Sequence, residues 1–245
     1  MNTFSNTDRL PQEIRSDVVA YLDEMLLLHQ GNILSVFLYG SATGENYVRR
    51  HSDINLCFIF KTFDFAILDR SLNAVSKGMK KKITAPLFLT GEMISSSSDV
   101  FPVEFLEMKE NHVLLYGEDI MSTVNIKTEN LRLFCEQQLK GKLIRIRQAY
   151  LETGSKPVRV KLLLRDSLKT LLPIFRNLIR LKGGHPPFKK DEVIKELARY
   201  YSFDPGALLS IQEKTAGSGL RNSDDVKILF RDFIDRLNEL AQKVD

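Results

Sequence analysis

Cysteine is scarce: Cys57 and Cys135 are the only two in 245 residues. Cys57 lies inside an apolar run, and Cys135 falls on the apolar face of an expected helix. Two buried thiols argue against a disulfide scaffold and fit a reducing, cytoplasmic setting. Long hydrophobic runs are also missing. None approaches the roughly 18 apolar residues of a spanning helix, so no membrane partner is expected. The opening segment, MNTFSNTDRLPQEIRSD, lacks the apolar core of a secretory signal. The four histidines, His29, His51, His112 and His185, are scattered and match no zinc-binding spacing. Charge of one sign is not in large excess: the net charge is +4, with no basic stripe interleaved with aromatics. A nucleic-acid partner is therefore the weakest fit, whereas a small anionic ligand is permitted.

The composition, 43% hydrophobic and 27% charged, is that of a folded protein long enough for one large domain or two small ones. Pro11 can open a helix. Ile14, Val18, Leu22, Met25 and Leu26 then recur at spacings of three and four, so residues 11–29 read as an amphipathic helix closed by Gly31-Asn32. ILSVFLY (33–39) and DINLCFIF (53–60) read as strands, with a helix over 64–79 after them. ITAPLFLT (83–90) is a third strand candidate that Pro86 confines to an edge. DVFPVEFLEM (99–108) is a fourth. The pattern predicts an α+β first domain over 1–124: a mixed sheet of four or five strands flanked by helices.

Residues 125–245 predict a helical bundle. One long helix carries Leu131, Cys135, Leu139, Leu143 and Ile146. A second carries Leu164, Leu168, Leu171, Phe175 and Leu178, with a kink expected at Pro173. Shorter helices follow over 189–201 and 205–215. The last begins near Ser223, with Asp224 and Asp225 suiting its N-terminal dipole.

The chemistry-bearing residues cluster early. Gly40-Ser41 follows the first strand. A glycine admits close approach of a phosphate to the backbone, and N–H groups at a helix start attract anions. By itself such a turn is equally a plain strand ending, and no Walker loop is present. Asp53 and Asn55 stand two apart on a strand, so they project to one face. Two oxygen ligands there suit Mg²⁺ (or Mn²⁺), whose octahedron water and substrate phosphate can complete. Asp53 brings charge; Asn55 brings a neutral carbonyl oxygen. Glu104 lies in the fourth strand candidate as a possible metal ligand or general base, with Glu107 the competitor on the opposite face. Arg49, Arg50 and His51 precede Asp53 and are placed to touch a triphosphate. Lys80-Lys81-Lys82 read first as a solvated helix end suited to the dipole, and the spaced Arg159, Lys161, Arg165 and Lys169 read equally well as phosphate contacts or a charged outer face.

The order of an apolar strand, Gly-Ser, an eleven-residue spacer, Asp-x-Asn and a later carboxylate-bearing segment resembles the polymerase-β-like nucleotidyltransferase superfamily. It is most similar to the small bacterial branch that includes aminoglycoside nucleotidyltransferases and their uncharacterised relatives. LYGSATGENYVRRHSDINLCFIF carries the motif, and DVFPVEFLEMKENHVLLYGED looks like the segment that follows it. The resemblance implies that Gly40 and Ser41 hold a nucleoside triphosphate. It implies that Asp53 and Glu104 bind metal, and that Asn55 occupies the place of a second metal-binding carboxylate. The implied reaction is transfer of a nucleoside monophosphate to a hydroxyl of a small molecule or protein, bound between sheet and bundle, with pyrophosphate leaving. Loss of one carboxylate from a two-metal set is worth several kcal/mol of transition-state stabilisation. The alternative is a catalytically impaired scaffold that binds nucleotide or a protein partner.

Overall fold

The computed structural model describes residues 4–43, 53–215 and 223–245. They divide into two compact units, Met1–Ile126 and Lys127–Asp245.

The first unit is built on a four-stranded mixed sheet. Its strands are β1 (Ile33–Tyr39), β2 (Asn55–Phe60), β3 (Leu87–Thr90) and β4 (His112–Gly117), in the spatial order β3-β2-β1-β4. β1 runs antiparallel to both β2 and β4, and β2 pairs parallel with β3. Pro86 sits just before β3, which takes an edge of the sheet, where a missing N–H costs no ladder bond.

Alternation along the strands divides the core in two. Val36, Leu38, Leu56, Phe58 and Phe60 face helices α1 (Gln12–Leu28) and α2 (Phe65–Met79). Phe37, Cys57 and Ile59 face α3 (Gly91–Ser97), α4 (Pro102–Glu110) and the single turn α5 (Ile120–Thr123), through Ile94, Phe105, Met108 and Met121. α1 buries the face that its spacing predicts: Ile14, Val18, Leu22, Met25 and Leu26. α2 starts where the Asp64 carboxylate accepts the Ile67 N–H at 3.1 Å.

The segment expected as a fourth strand is the helix α4. Pro102 occupies its first turn, where the absent N–H is no loss. Pro102, Phe105 and Met108 recur every three residues and, with Val103, form its buried face. The proline inside an apolar run is thus a helix start, and the fourth strand is the following HVLLYG.

The second unit is helical: α6 (Thr128–Glu152), α7 (Pro157–Leu181), α8 (Lys190–Tyr201), α9 (Gly206–Thr215) and α10 (Ser223–Val244). α7 packs against all four others and contributes Leu164, Leu171, Phe175 and Leu178, each fully buried. Helix α7 continues through Pro173, which is exposed, so the carbonyl that lacks an N–H partner can turn to water. Tyr150 and Phe230 stack at 4.1 Å between α6 and α10. Both cysteines are free and buried, and burial pushes the Cys135 thiol up to about 12. Among the described residues, no helix is long and apolar enough to cross a membrane.

Candidate functional site

β1 delivers its chain to the end of the sheet at Tyr39, which pairs with Asn55, the first residue of β2. Gly40 follows with φ +79° and opens a 3-10 turn over Gly40–Thr43, closed by the Thr43 hydroxyl donating to the Gly40 carbonyl at 2.8 Å. Two independent features favour glycine at this position. The positive φ disfavours any Cβ, and a Cβ built there would lie 3.0 Å from the Asn55 side-chain nitrogen. Ser41 lies in the turn, but its side chain is outside the described atoms. Arg49, Arg50 and His51 fall outside the described residues.

Ile54 is buried and bridges to Ile83 alongside the sheet, with its N–H donating to the Lys82 carbonyl at 3.0 Å. On either side of it Asp53 is exposed and Asn55 is half-buried. Asp53 stands just before β2 rather than within it. Asn55 shares the face of Cys57 and Ile59, which is the face that α4 covers. Its side-chain oxygen accepts from the Thr84 hydroxyl at 2.9 Å, and the same hydroxyl lies 3.2 Å from the Ile54 carbonyl. Thr84 is a residue that sequence reasoning missed: it fell inside the expected strand 83–90, which begins only at Leu87. It occupies one of the two acceptor directions of the Asn55 oxygen and leaves one for another ligand.

Glu104 lies in the first turn of α4 and is exposed. It is not on a strand. Glu107, three residues on, therefore shares its side of the helix instead of opposing it. α4 covers the sheet face to which Asn55 belongs, which sets both carboxylates on the layer above that face.

The N-terminal end of β4 adds a second cluster. His112 pairs in register with Tyr39. Its Nδ1 lies 3.0 Å from the Met108 carbonyl at the end of α4, and its Nε2 lies 2.9 Å from Asp119. Asp119 in turn accepts the Ser122 N–H at 3.0 Å and caps α5. His112 thus ties α4, β4 and α5 together at the sheet end where Gly40 and Asn55 meet. Tyr39, in the same layer, has its phenol pKa raised, first by burial and then by Cys57, so it stays a neutral hydrogen-bonding group.

One exposed carboxylate, Asp53, and an amide oxygen with one acceptor direction unfilled, Asn55, are donors of the type that Mg²⁺ takes alongside water and phosphate. They do not fit a full two-metal carboxylate set: among the described residues no three His, Cys, Asp or Glu side chains group to hold a metal. Of the other expected cations, Lys80 after α2 and Arg159, Arg165 and Lys169 on α7 are exposed; Lys81 pairs with Asp17 at 2.6 Å and Arg165 with its neighbour Asp166 at 3.3 Å.

No protein-family model matches the chain, and no curated protein does. Among solved structures the chain is similar to spectinomycin adenyltransferase AAD(9) from Enterococcus faecialis, determined with ATP and spectinomycin. The identity is 11%, the match covers 94% of this chain and 98% of that one, and the TM-score is 0.47.

Proposed function

We propose that the chain binds a nucleoside triphosphate with a divalent cation at the end of β1 and β2, and transfers a nucleoside monophosphate to a hydroxyl of a small molecule or protein. The observation that carries this reading is the juxtaposition of the Gly40 turn with Asn55 and Asp53. The Tyr39–Asn55 pairing sets the positive-φ Gly40 against the Asn55 side chain, and the exposed Asp53 stands two residues before Asn55 along the chain. Backbone N–H groups of the turn would hold phosphate oxygens, with Ser41 adding its hydroxyl. Asp53 would hold Mg²⁺ or Mn²⁺, assisted by the Asn55 oxygen. A cation there neutralises phosphate charge and withdraws electrons from phosphorus. Glu104 is the proposed base for the acceptor hydroxyl, or a further ligand, with Glu107 its rival on the same helix side.

A second reading, nucleotide binding with impaired chemistry, is favoured by one observation. Asn55 is neutral and already hydrogen-bonded to Thr84. Cation-dependent release of pyrophosphate from each nucleoside triphosphate, followed across Asn55→Asp and Glu104→Gln, separates the two. The enzyme reading expects Asn55→Asp to preserve or raise the rate and Glu104→Gln to lower it by orders of magnitude. Flat rates in every variant, with nucleotide still bound, would leave the second reading standing.

A further inference from the structure

Helix α2 packs against α1 and the sheet through a face made mostly of small residues. The face that it turns inward carries Ile67, Ser71, Ala74 and Gly78. Three of these four are small, and Gly78 is needed because a Cβ there would meet the Tyr21 ring at 2.9 Å. The large apolar residues point outward: Phe65 is 78% exposed, Leu68 43%, Leu72 62% and Met79 61%, with Val75 half-buried between them. Their spacing is three, four, three, four. That is the a/d pattern of a helix seam over two heptads. A contiguous apolar stripe of this kind on a soluble surface marks an interaction site.

The charges along α2 indicate what covers the stripe. The N-terminal half carries Asp64, Asp69 and Arg70, two acids against one base; the C-terminal end runs into Lys80-Lys81-Lys82. Lys77 and Lys81 are turned toward α1, where they pair with Glu24 and Asp17 at 2.7 and 2.6 Å. A second α2 laid parallel would set Lys80 against Lys80 and aspartates against aspartates. Laid antiparallel about Leu72, it sets the exposed Asp64 of each copy against the exposed Lys80 of the other and opposes the two helix dipoles favourably. Phe65 and Met79 lie seven residues to either side of Leu72, so the ends of the stripe exchange under a two-fold axis there. Self-pairing of this kind is the isologous contact of a two-fold dimer.

We propose that the outer face of α2 is the contact between two copies of this chain, with the helices antiparallel about a two-fold axis near Leu72. Phe65 of one copy then faces Met79 of the other, and Leu72 faces Leu72. The interface is independent of the nucleotide reading.

Light scattering on the full chain tests this. The expected mass is twice the 28.1 kDa of one chain, falling to a single chain in Leu72→Asp. That residue is exposed, so its thermal midpoint should stay close to wild type. The orientation is tested by mixing Phe65→Cys and Met79→Cys proteins under mild oxidation. The native cysteines are buried and do not compete. The mixture should cross-link more than either variant alone. A wild-type monomer at hundreds of micromolar would overturn the proposal and assign the stripe to a different partner. So would a dimer that Leu72→Asp leaves intact, or a preference of Phe65→Cys for itself.

Discussion

Gly40 carries two constraints at once, and substitution separates them from ordinary turn preference. Gly40→Ala must hold a Cβ at φ +79° and push against the Asn55 amide. The left-handed conformation alone costs about 1–2 kcal/mol. The displaced Asn55 would weaken nucleotide binding beyond what the lost stability explains. Thermal unfolding and nucleotide titration of the same variant check both effects. Thr84→Val removes the hydroxyl that holds the Asn55 oxygen and should cost about 1 kcal/mol. In the background of Asn55→Asp it should cost more, because the hydroxyl would then serve a carboxylate. A double-mutant cycle reads the difference. Asn55→Asp itself meets the same Thr84 donor, so it should fold as the wild type does. With its added charge near Asp53 in sequence, cation-dependent transfer should be kept or raised, by up to about tenfold, equivalent to about 1.4 kcal/mol of barrier.

At the scale of elements, α4 and the His29 contact give distinct tests. Phe105 and Met108 anchor α4 on the sheet layer that includes Phe37 and Cys57. Phe105→Ala should cost about 3–5 kcal/mol in urea unfolding, whereas Glu104→Gln on the exposed side should be near neutral. His29, at the end of α1, is buried against Phe60, and its Nε2 lies 2.8 Å from the Ser71 hydroxyl on α2. That hydroxyl donates onward to the Ile67 carbonyl at 2.7 Å, so it accepts from a neutral His29 ring. The His29 pKa is lowered from its ordinary 6.5, first by burial and then by Arg70. The unfolded chain therefore takes up a proton first as the pH falls. The stability from the neutral ring is whole above 6.5 and is lost progressively as pH drops from there through the folded pKa. His29→Gln should flatten that part of the stability profile.

The same elements show what was legible in the chain. β1 and α1 were, because ILSVFLY is a short apolar run stopped by glycine and α1 repeats its apolar residues at helical spacing. β2 was, except at its start, where Ile54 joins β3's approach by a single bridge that leaves Asp53 outside. α4 was not. An apolar run containing an alternating VEFLEM looks extended until Pro102 is read as a first-turn residue. That error carried Glu104 and Glu107 onto opposite faces when a helix sets them side by side. Thr84 was invisible because its partner is twenty-nine residues away along the chain, and local spacing carries no information about such a contact. The outward face of α2 was legible as helical spacing, but which side of it was buried depended on the small residues that meet Tyr21 and the sheet.

For the whole molecule the account rests on the meeting of three chain segments at one sheet end: the Gly40 turn, the Asp53–Asn55 strand start and the Thr84 approach. Calorimetric titration of ATP, GTP, CTP and UTP, with and without Mg²⁺, against wild type and Asp53→Ala tests it most directly. Asp53 is exposed, so its removal should leave the fold intact. The account predicts binding of at least one nucleotide that requires Mg²⁺ and weakens at least about tenfold, or 1.4 kcal/mol, in Asp53→Ala. No binding by the folded wild type, or binding indifferent to both Mg²⁺ and Asp53, would contradict it.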